Sequence, residues 1–506
     1  MRPLPPAPTD RTLPRGFAVI LDERTKLLDS GTTLLGGSPL RAVFITRQAA
    51  QLVRGRRVEV TSEPSAELAR LLLDRGLAHP DLLSLANSSE PPESLATVVI
   101  PVQNRSVELN ALLGTLPRAL PVIVIDDGSD DPETIETICQ TAGARCLRLE
   151  VNQGPSAARN RALEEVETPF AILIDSDLRF DPDVLELLPH FQDPTLAVVA
   201  PRVLSRATAE VWGPLADYER SHSSADRGLR PALIQPGGVV SWVPSACLVG
   251  RTEVLRGAFD ESLRVAEDVD LCWRLAEKGW ALRYDPSITL SHDSRKSVSE
   301  WASRKFYYGT GAARLASRHG GAVAPARFTP WSLAMTAALL PARWWSVLLS
   351  AALAVVPALR LREALQKSSA ADIVAARSIP RTLWGVLTQG SALVLRHWSP
   401  VTAIAALVSS PVRRVVGWSV VIDSIVSLRS RLQATPRSER MSLPTVLWFL
   451  ALRRVDDLAY GLGVWWGALK QRSLTALLPV LMTGSPSSTT WRSQTDDEDS
   501  TTNSAT

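Results

Sequence analysis

Three acidic clusters carry most of the chemistry this sequence offers. Asp126 and Asp127 open "DDGSDD", Asp175 and Asp177 form "DSD", and Glu267, Asp268 and Asp270 lie in "EDVD". The first two each follow an apolar run, "LPVIVI" and "PFAILI". Two carboxylates at i and i+2 in a loop can face one divalent cation. Their hard oxygens favour Mg2+ or Mn2+, and diphosphate oxygens can fill the remaining positions. Asp-Gly-Ser is also plain turn chemistry, and acids at a helix start are what the helix dipole favours. Those bland readings do not explain why the clusters recur in the same half of the chain. A fourth stretch, "NQGPSAARNRAL" (Asn152 to Leu163), leads small residues into a helix and adds Arg159 and Arg161. Exposed backbone N–H groups with nearby guanidinium groups suit an anionic ligand, although an arginine-decorated surface helix reads the same way.

The elements around these clusters alternate. "ATVVIPV", "LPVIVIDDGS", "ARCLRLEV" and "PFAILIDSD" read as strands, with "SVELNALLGTL", "PETIETICQTAG" and "SAARNRALEEV" as the helices between them. Continuous apolar strands alternating with helices predict a mainly parallel sheet covered on both faces. Ligands of such sheets bind at the carboxyl ends of the strands, where the aspartate pairs fall. Ahead of this region, residues 16–90 form a small unit. "FAVILD", "TKLLD" and "TTLLGG" are strand-like, and "TRQAAQLVRG" and "SAELARLLLDRG" are helical. A linker rich in Ser, Glu and Pro (Ser84 to Ser94) closes it.

The series "VVIPVQNR", "VIDDGSDD", "NQGPSAARNRAL", "ILIDSD" and "AEDVDLCWRL" resembles, in order and spacing over roughly residues 97–293, the family 2 glycosyltransferases of the GT-A fold. The resemblance implies inverting transfer from a nucleotide diphosphate sugar, and it implies roles. Asn104, Asp126, Asp127, Gly154, Arg159 and Asp175 would contact the donor. Asp175, Asp177 and His292 would lie at the metal, Mg2+ or Mn2+. Asp268 would be the general base with Glu267 beside it. His292 reads equally as a satisfied surface or core histidine.

A narrower resemblance rests on "RKFYYGTGAARLASRHGGAVAP" and "GFAVILDERTKLLDSGTTLLGGSP", which are similar to the glycosyltransferases of mycofactocin gene clusters. That family implies β-1,4-linked glucose moved from UDP-glucose onto a peptide-derived redox cofactor precursor. It also gives the front unit a weak likeness to winged-helix modules that hold precursor peptides. The alternative is a membrane-associated enzyme acting on a cell-wall glycan or lipid. Such synthases usually carry a "QxxRW"-type segment after the catalytic acids, and "SRKFYYGTG" stands there instead. A nucleotidyltransferase lacks support because no glycine- and lysine-rich entry loop is present. A catalytically silent binding module sits poorly with intact "DSD" and "EDVD".

The expected organisation is a flexible lead (1–15), the small recognition-like unit (16–90), a GT-A domain (95–325), a helical membrane-associated region (326–483) and a disordered acidic tail (484–506). The whole chain has 506 residues and a net charge of +3, so bulk charge does not suggest nucleic acid. Four scattered cysteines without CxxC spacing read as free thiols, and the N-terminus lacks the apolar core of a signal peptide. Trp331 to Val480 holds seventeen Lys/Arg against six Asp/Glu and nine of the fifteen tryptophans. Cationic, apolar and tryptophan-rich together, that stretch suggests anionic lipid at the cytoplasmic face of the cell membrane. Interfacial helices, a span within Phe328 to Leu359, and a soluble helical bundle all fit the pattern.

Overall fold

The computed structural model describes residues 2–85, 91–207, 211–434, 442–482 and the backbone of Ser488–Thr490. The chain divides into two compact units. The first comprises Met1–Leu204, Ser224–His292 and Ser487–Thr506, and the second Ser205–Ser223 with Asp293–Pro486.

The centre of the first unit is a mixed sheet. Its parallel half runs Phe170–Ile174, Ala96–Val102, Val122–Asp127, Arg145–Leu149 in space. These are the four strands expected from the apolar runs. The order reverses between Ala96–Val102 and Phe170–Ile174, which opens a crevice at the carboxyl ends of the strands. The other half is antiparallel: Cys247–Arg251 pairs with Phe170–Ile174 and with Leu196–Arg206, and Leu178–Arg179 pairs with Ala281–Asp293. Val98, Ile100, Val124, Ile172 and Val249 are buried between the layers, as strands covered on both faces require. The result is an α/β fold of GT-A type followed by a helical C-terminal region.

The front of the chain builds its own core on Phe17, Val19, Leu34, Leu68 and Leu72. A three-stranded antiparallel sheet (Arg57–Glu59, Ala18–Leu21, Ala78–Pro80) is accompanied by an antiparallel meander of Lys26–Leu28, Thr33–Gly36 and Arg41–Phe44. Thr46 caps Arg47–Leu52, and Ser62 with Ser65 forms a capping box on Glu63–Asp74. Arg70 then reaches the sheet domain. Its Nη2 donates to Asp193 Oδ1 at 2.7 Å and its Nη1 to Thr195 Oγ1 at 3.0 Å.

Two boundaries differ from expectation. Residues 1–15 are not a free lead. Arg2 N–H donates to Gly257 O, Ala7 N–H to Lys278 O, and Trp280 Nε1–H to Pro5 O, while Leu4 and Leu13 are buried. The helical unit begins at Asp293 rather than 326, because the helix Val298–Thr310 lies flush on Leu443–Lys470. A Cβ on Gly309 would meet Tyr460 O at 2.3 Å, and one on Gly463 would meet Phe306 O at 2.0 Å. The excursion Ser205–Ser223 joins this unit through Tyr218, whose hydroxyl donates to the buried Asp456 at 2.8 Å. Arg431 also grips Asp217 with two bonds of 2.8 Å. The acidic tail read at 484–506 lies outside the described residues, apart from the backbone of Ser488–Thr490, which runs parallel to Arg41–Phe44. Residues 86–90 of the linker also lie outside them.

Candidate active site

Each aspartate pair ends a parallel strand, so the sheet brings them to one edge. Asp126 is buried, with Oδ1 accepting from Ser129 N–H at 2.9 Å and Oδ2 from Arg148 Nη1 at 2.5 Å. Asp127 turns the other way. Its two oxygens accept Gln153 N–H at 2.7 Å and Gly154 N–H at 2.8 Å, so it staples the strand end to the glycine loop. Gly128 at φ +71° is forced, since a Cβ there would meet Asn152 N at 2.7 Å. Asn104, left-handed at φ +54°, ties its amide to Asp130 in both directions, at 3.0 and 2.8 Å. Gly154 (φ +93°) starts the helix Pro155–Glu164 and lies against the Arg264 side chain.

That helix carries Arg159 into the site. Arg159 is buried under the Phe259 ring, 5.4 Å from its centroid. Its Nη2 donates to Asp175 Oδ1 at 2.6 Å and its Nη1 to Glu267 Oε1 at 3.3 Å. One guanidinium therefore joins the "DSD" strand end to the "EDVD" helix. Burial, and then the charges of Asp177 and Glu267, push the Asp175 carboxyl above its ordinary range against the pull of Arg159. Asp177 accepts from Arg105 Nη1.

The helix Glu267–Glu277 starts from Ala266, a non-glycine residue at φ +66°. That strained cap turns the chain so that Glu267 and Asp268 open the first turn. The fully buried Asp270 holds the turn, accepting Arg274 Nε at 2.6 Å. Asp268 is half-buried with a carboxyl raised to about 7, chiefly by burial and next by the Glu267 charge, while Val269 N–H, Arg159 and Arg227 oppose the rise.

Metal fit rests on Asp175 and Asp177. Both carboxylates already hold a guanidinium, from Arg159 and Arg105, so their oxygens face positive charge. His292 pairs in the sheet with Leu178, the residue after Asp177. Among the described residues no three His, Cys, Asp or Glu side chains stand together as a ready metal site. The pair fits a cation whose other ligands come from the donor diphosphate. Sequence reasoning missed Arg105, Arg148 and Arg264. Asking which cations offset so many acids would have pointed to Arg105, the neighbour of Asn104.

A sheet with carboxylates at its ligand edge and a raised carboxyl beside them suits an enzyme that transfers a group from an anionic donor. The sequence matches the family model for glycosyl transferase family 2 over residues 97–238, and that for glycosyl transferase family group 2 over 170–362. The pre-mycofactocin glycosyltransferase of Mycobacterium tuberculosis (strain ATCC 25618 / H37Rv) is 40% identical over 485 residues, 94% of this chain and 100% of that protein. The chain belongs to the family 2 glycosyltransferases, in the branch that contains that relative. A poly-beta-1,6-N-acetyl-D-glucosamine synthase of Staphylococcus aureus (strain N315) is 22% identical over 211 residues, 40% of this chain and 47% of that protein. Among solved structures, a mannosyltransferase from Pyrobaculum calidifontis in complex with GDP-Man and Mn2+ aligns with a TM-score of 0.39. It is 14% identical and covers 74% of this chain and 87% of that one.

Proposed function

We propose that this glycosyltransferase moves glucose from UDP-glucose, with inversion and in β-1,4 linkage, onto the peptide-derived precursor of the mycofactocin cofactor. The observation that carries the reading is the full-length likeness to the pre-mycofactocin enzyme. The edge geometry supports it. Asp126 would contact the uracil–ribose part of the donor and Asn104 the nucleotide, with Asp127 holding the loop at Gly154 in place. Gly154 and Arg159 would lie along the nucleotide. Asp268 takes the proton from the acceptor hydroxyl as its oxygen attacks the anomeric carbon, and the bond to the diphosphate oxygen breaks on the opposite face. Held by Asp175 and Asp177, with His292 at the adjoining strand, Mg2+ or Mn2+ would neutralise charge on the leaving diphosphate. The chain's own contribution is to place donor, acceptor and base together.

The front unit (residues 16–90) is the proposed acceptor-recognition module. The second unit is the proposed attachment to the cytoplasmic face of the cell membrane, with anionic lipid as its partner. Its apolar side chains are unusually bare: Trp344 is 78% exposed and Val408 87%. Trp344–Ala364 is the one described helical run long and apolar enough to cross a membrane unaided. The deciding experiment offers purified protein a panel of UDP- and GDP-sugars with the precursor as acceptor. Glucose transfer from UDP-glucose alone supports the reading; exclusive use of another donor, or of a lipid or glycan acceptor, refutes it.

A further inference from the structure

Beside Asp268, the loop from Ser224 to Trp242 carries a cation that the protein only partly uses. The Arg227 guanidinium lies over the Trp242 indole, 3.8 Å from the ring centroid. Its Nη2 donates to Ser224 O, and its Nε is buried with no hydrogen-bond partner among the described residues. Buried donors are rarely left unmade, so this guanidinium has bonding capacity that a water or a ligand group can take up.

The loop is held on both sides. Arg202 grips Asp226 with two bonds of 2.8 and 2.7 Å, and Gly228 N–H also donates to Asp226 at 2.8 Å. Tyr284 Oη donates to Gly228 O at 2.6 Å. On the far side Trp273 Nε1, from the helix that carries Asp268, donates to Ser241 O at 2.8 Å. Arg227 and Trp242 are thus fixed relative to that helix. The Asp268 carboxylate acts on Arg227 more strongly than that of Asp226. A flat guanidinium stacked on an indole presents its N–H edge sideways in a set plane, which suits a pair of neighbouring oxygens better than a single one.

We propose that Arg227, held flat by Trp242, is an acceptor-binding residue. Its free guanidinium edge donates to an oxygen adjacent to the attacking hydroxyl, and the acceptor it fits carries vicinal hydroxyls, as a hexose ring does. The proposal rests on Asp268 being the base.

The test uses the full chain, UDP-glucose as donor, and p-nitrophenyl β-D-glucoside as a vicinal-diol acceptor. The native chain glucosylates this probe, and Arg227→Gln raises its KM about ten- to a hundredfold, the loss of one charged hydrogen bond. The dissociation constant for UDP-glucose, by calorimetry, stays at the native value. Arg227→Lys keeps the charge without the planar fork and falls between, and it serves where the Gln variant does not fold. Trp242→Leu follows Arg227→Gln in direction. No transfer to the probe by the native chain overturns the vicinal-diol assignment. An acceptor KM unchanged in Arg227→Gln, or one that moves only together with donor affinity, overturns the acceptor role. If Asp268→Asn transfers at the native rate, the base assignment falls instead, so the two failures are distinguishable.

Discussion

If Asp268 is the base, turnover must follow its ionisation. Burial and Glu267 raise its carboxyl to about 7. A base acts only when ionised, so the rate rises as pH climbs through that value. One ionisation near 7 leaves about a tenth of the enzyme competent near pH 6 and about nine-tenths near pH 8. At saturating donor and acceptor, kcat is therefore expected to grow about tenfold across that interval. Glu267→Gln removes the like charge while keeping an amide oxygen for Arg159, so the acid limb moves to lower pH and the rate near pH 6 rises, although burial keeps part of the shift. Asp268→Asn retains the shape, lowers kcat by about 10²–10⁴-fold and abolishes the limb. The assay is UDP release from about pH 5.5 to about pH 9, with thermal unfolding recorded at each point to separate titration from denaturation. A flat profile in the native chain, or a limb that Glu267→Gln does not move, refutes the argument.

Chelation by EDTA should stop transfer and added Mg2+ or Mn2+ should restore it. Asp177→Asn should lose activity with little change in thermal midpoint, and full turnover in excess EDTA would contradict the metal reading. Gly309→Ala should destabilise the second unit by about 1–3 kcal/mol, because its Cβ meets the Tyr460 carbonyl at 2.3 Å. Gly417→Ala, in open space within the helix Ser410–Ala434, should stabilise it by up to ~1 kcal/mol. Urea unfolding followed by circular dichroism reads both, and equal signs would show that helix contact is not the cause. The full chain should float with phosphatidylglycerol vesicles. Release by carbonate marks surface attachment and release by detergent alone marks spanning, whereas complete recovery in the soluble fraction at low salt excludes membrane binding.

The parallel half of the sheet was legible because strands buried on both faces leave unbroken apolar runs, as at Ala96–Val102 and Phe170–Ile174. The antiparallel half was not. Leu196–Arg206 and Ala281–Asp293 are interrupted by Pro201 and Pro286, and each ends in polar residues rather than in an unbroken apolar run. The acids of the site stood out in sequence, but their partners did not. Arg148 meets Asp126, and Arg159 meets Glu267, only once the strands and helices are stacked. Asp127 shows the same gap: nothing local reveals that its carboxylate holds backbone N–H groups twenty-six and twenty-seven residues away. The second unit was misdrawn because glycine contacts such as Gly309 on Tyr460 have no hydrophobic signature.

The Arg70–Asp193 contact bears on how the chain is made. Asp193 is fully buried and takes its charge partner from a helix some 120 residues upstream. The front module has its own core, so it can collapse as soon as it leaves the ribosome. It cannot be finished then. Its docking arginine waits for Asp193, and the first residues of the chain wait longer still, until Gly257, Lys278 and Trp280 emerge to receive them. The N-terminus is thus among the first segments synthesised and among the last in the first unit to settle. Chains cut short before Trp280 would leave the first residues with part of their seat missing, and trimming those residues would expose the groups they meet at Gly257, Lys278 and Trp280.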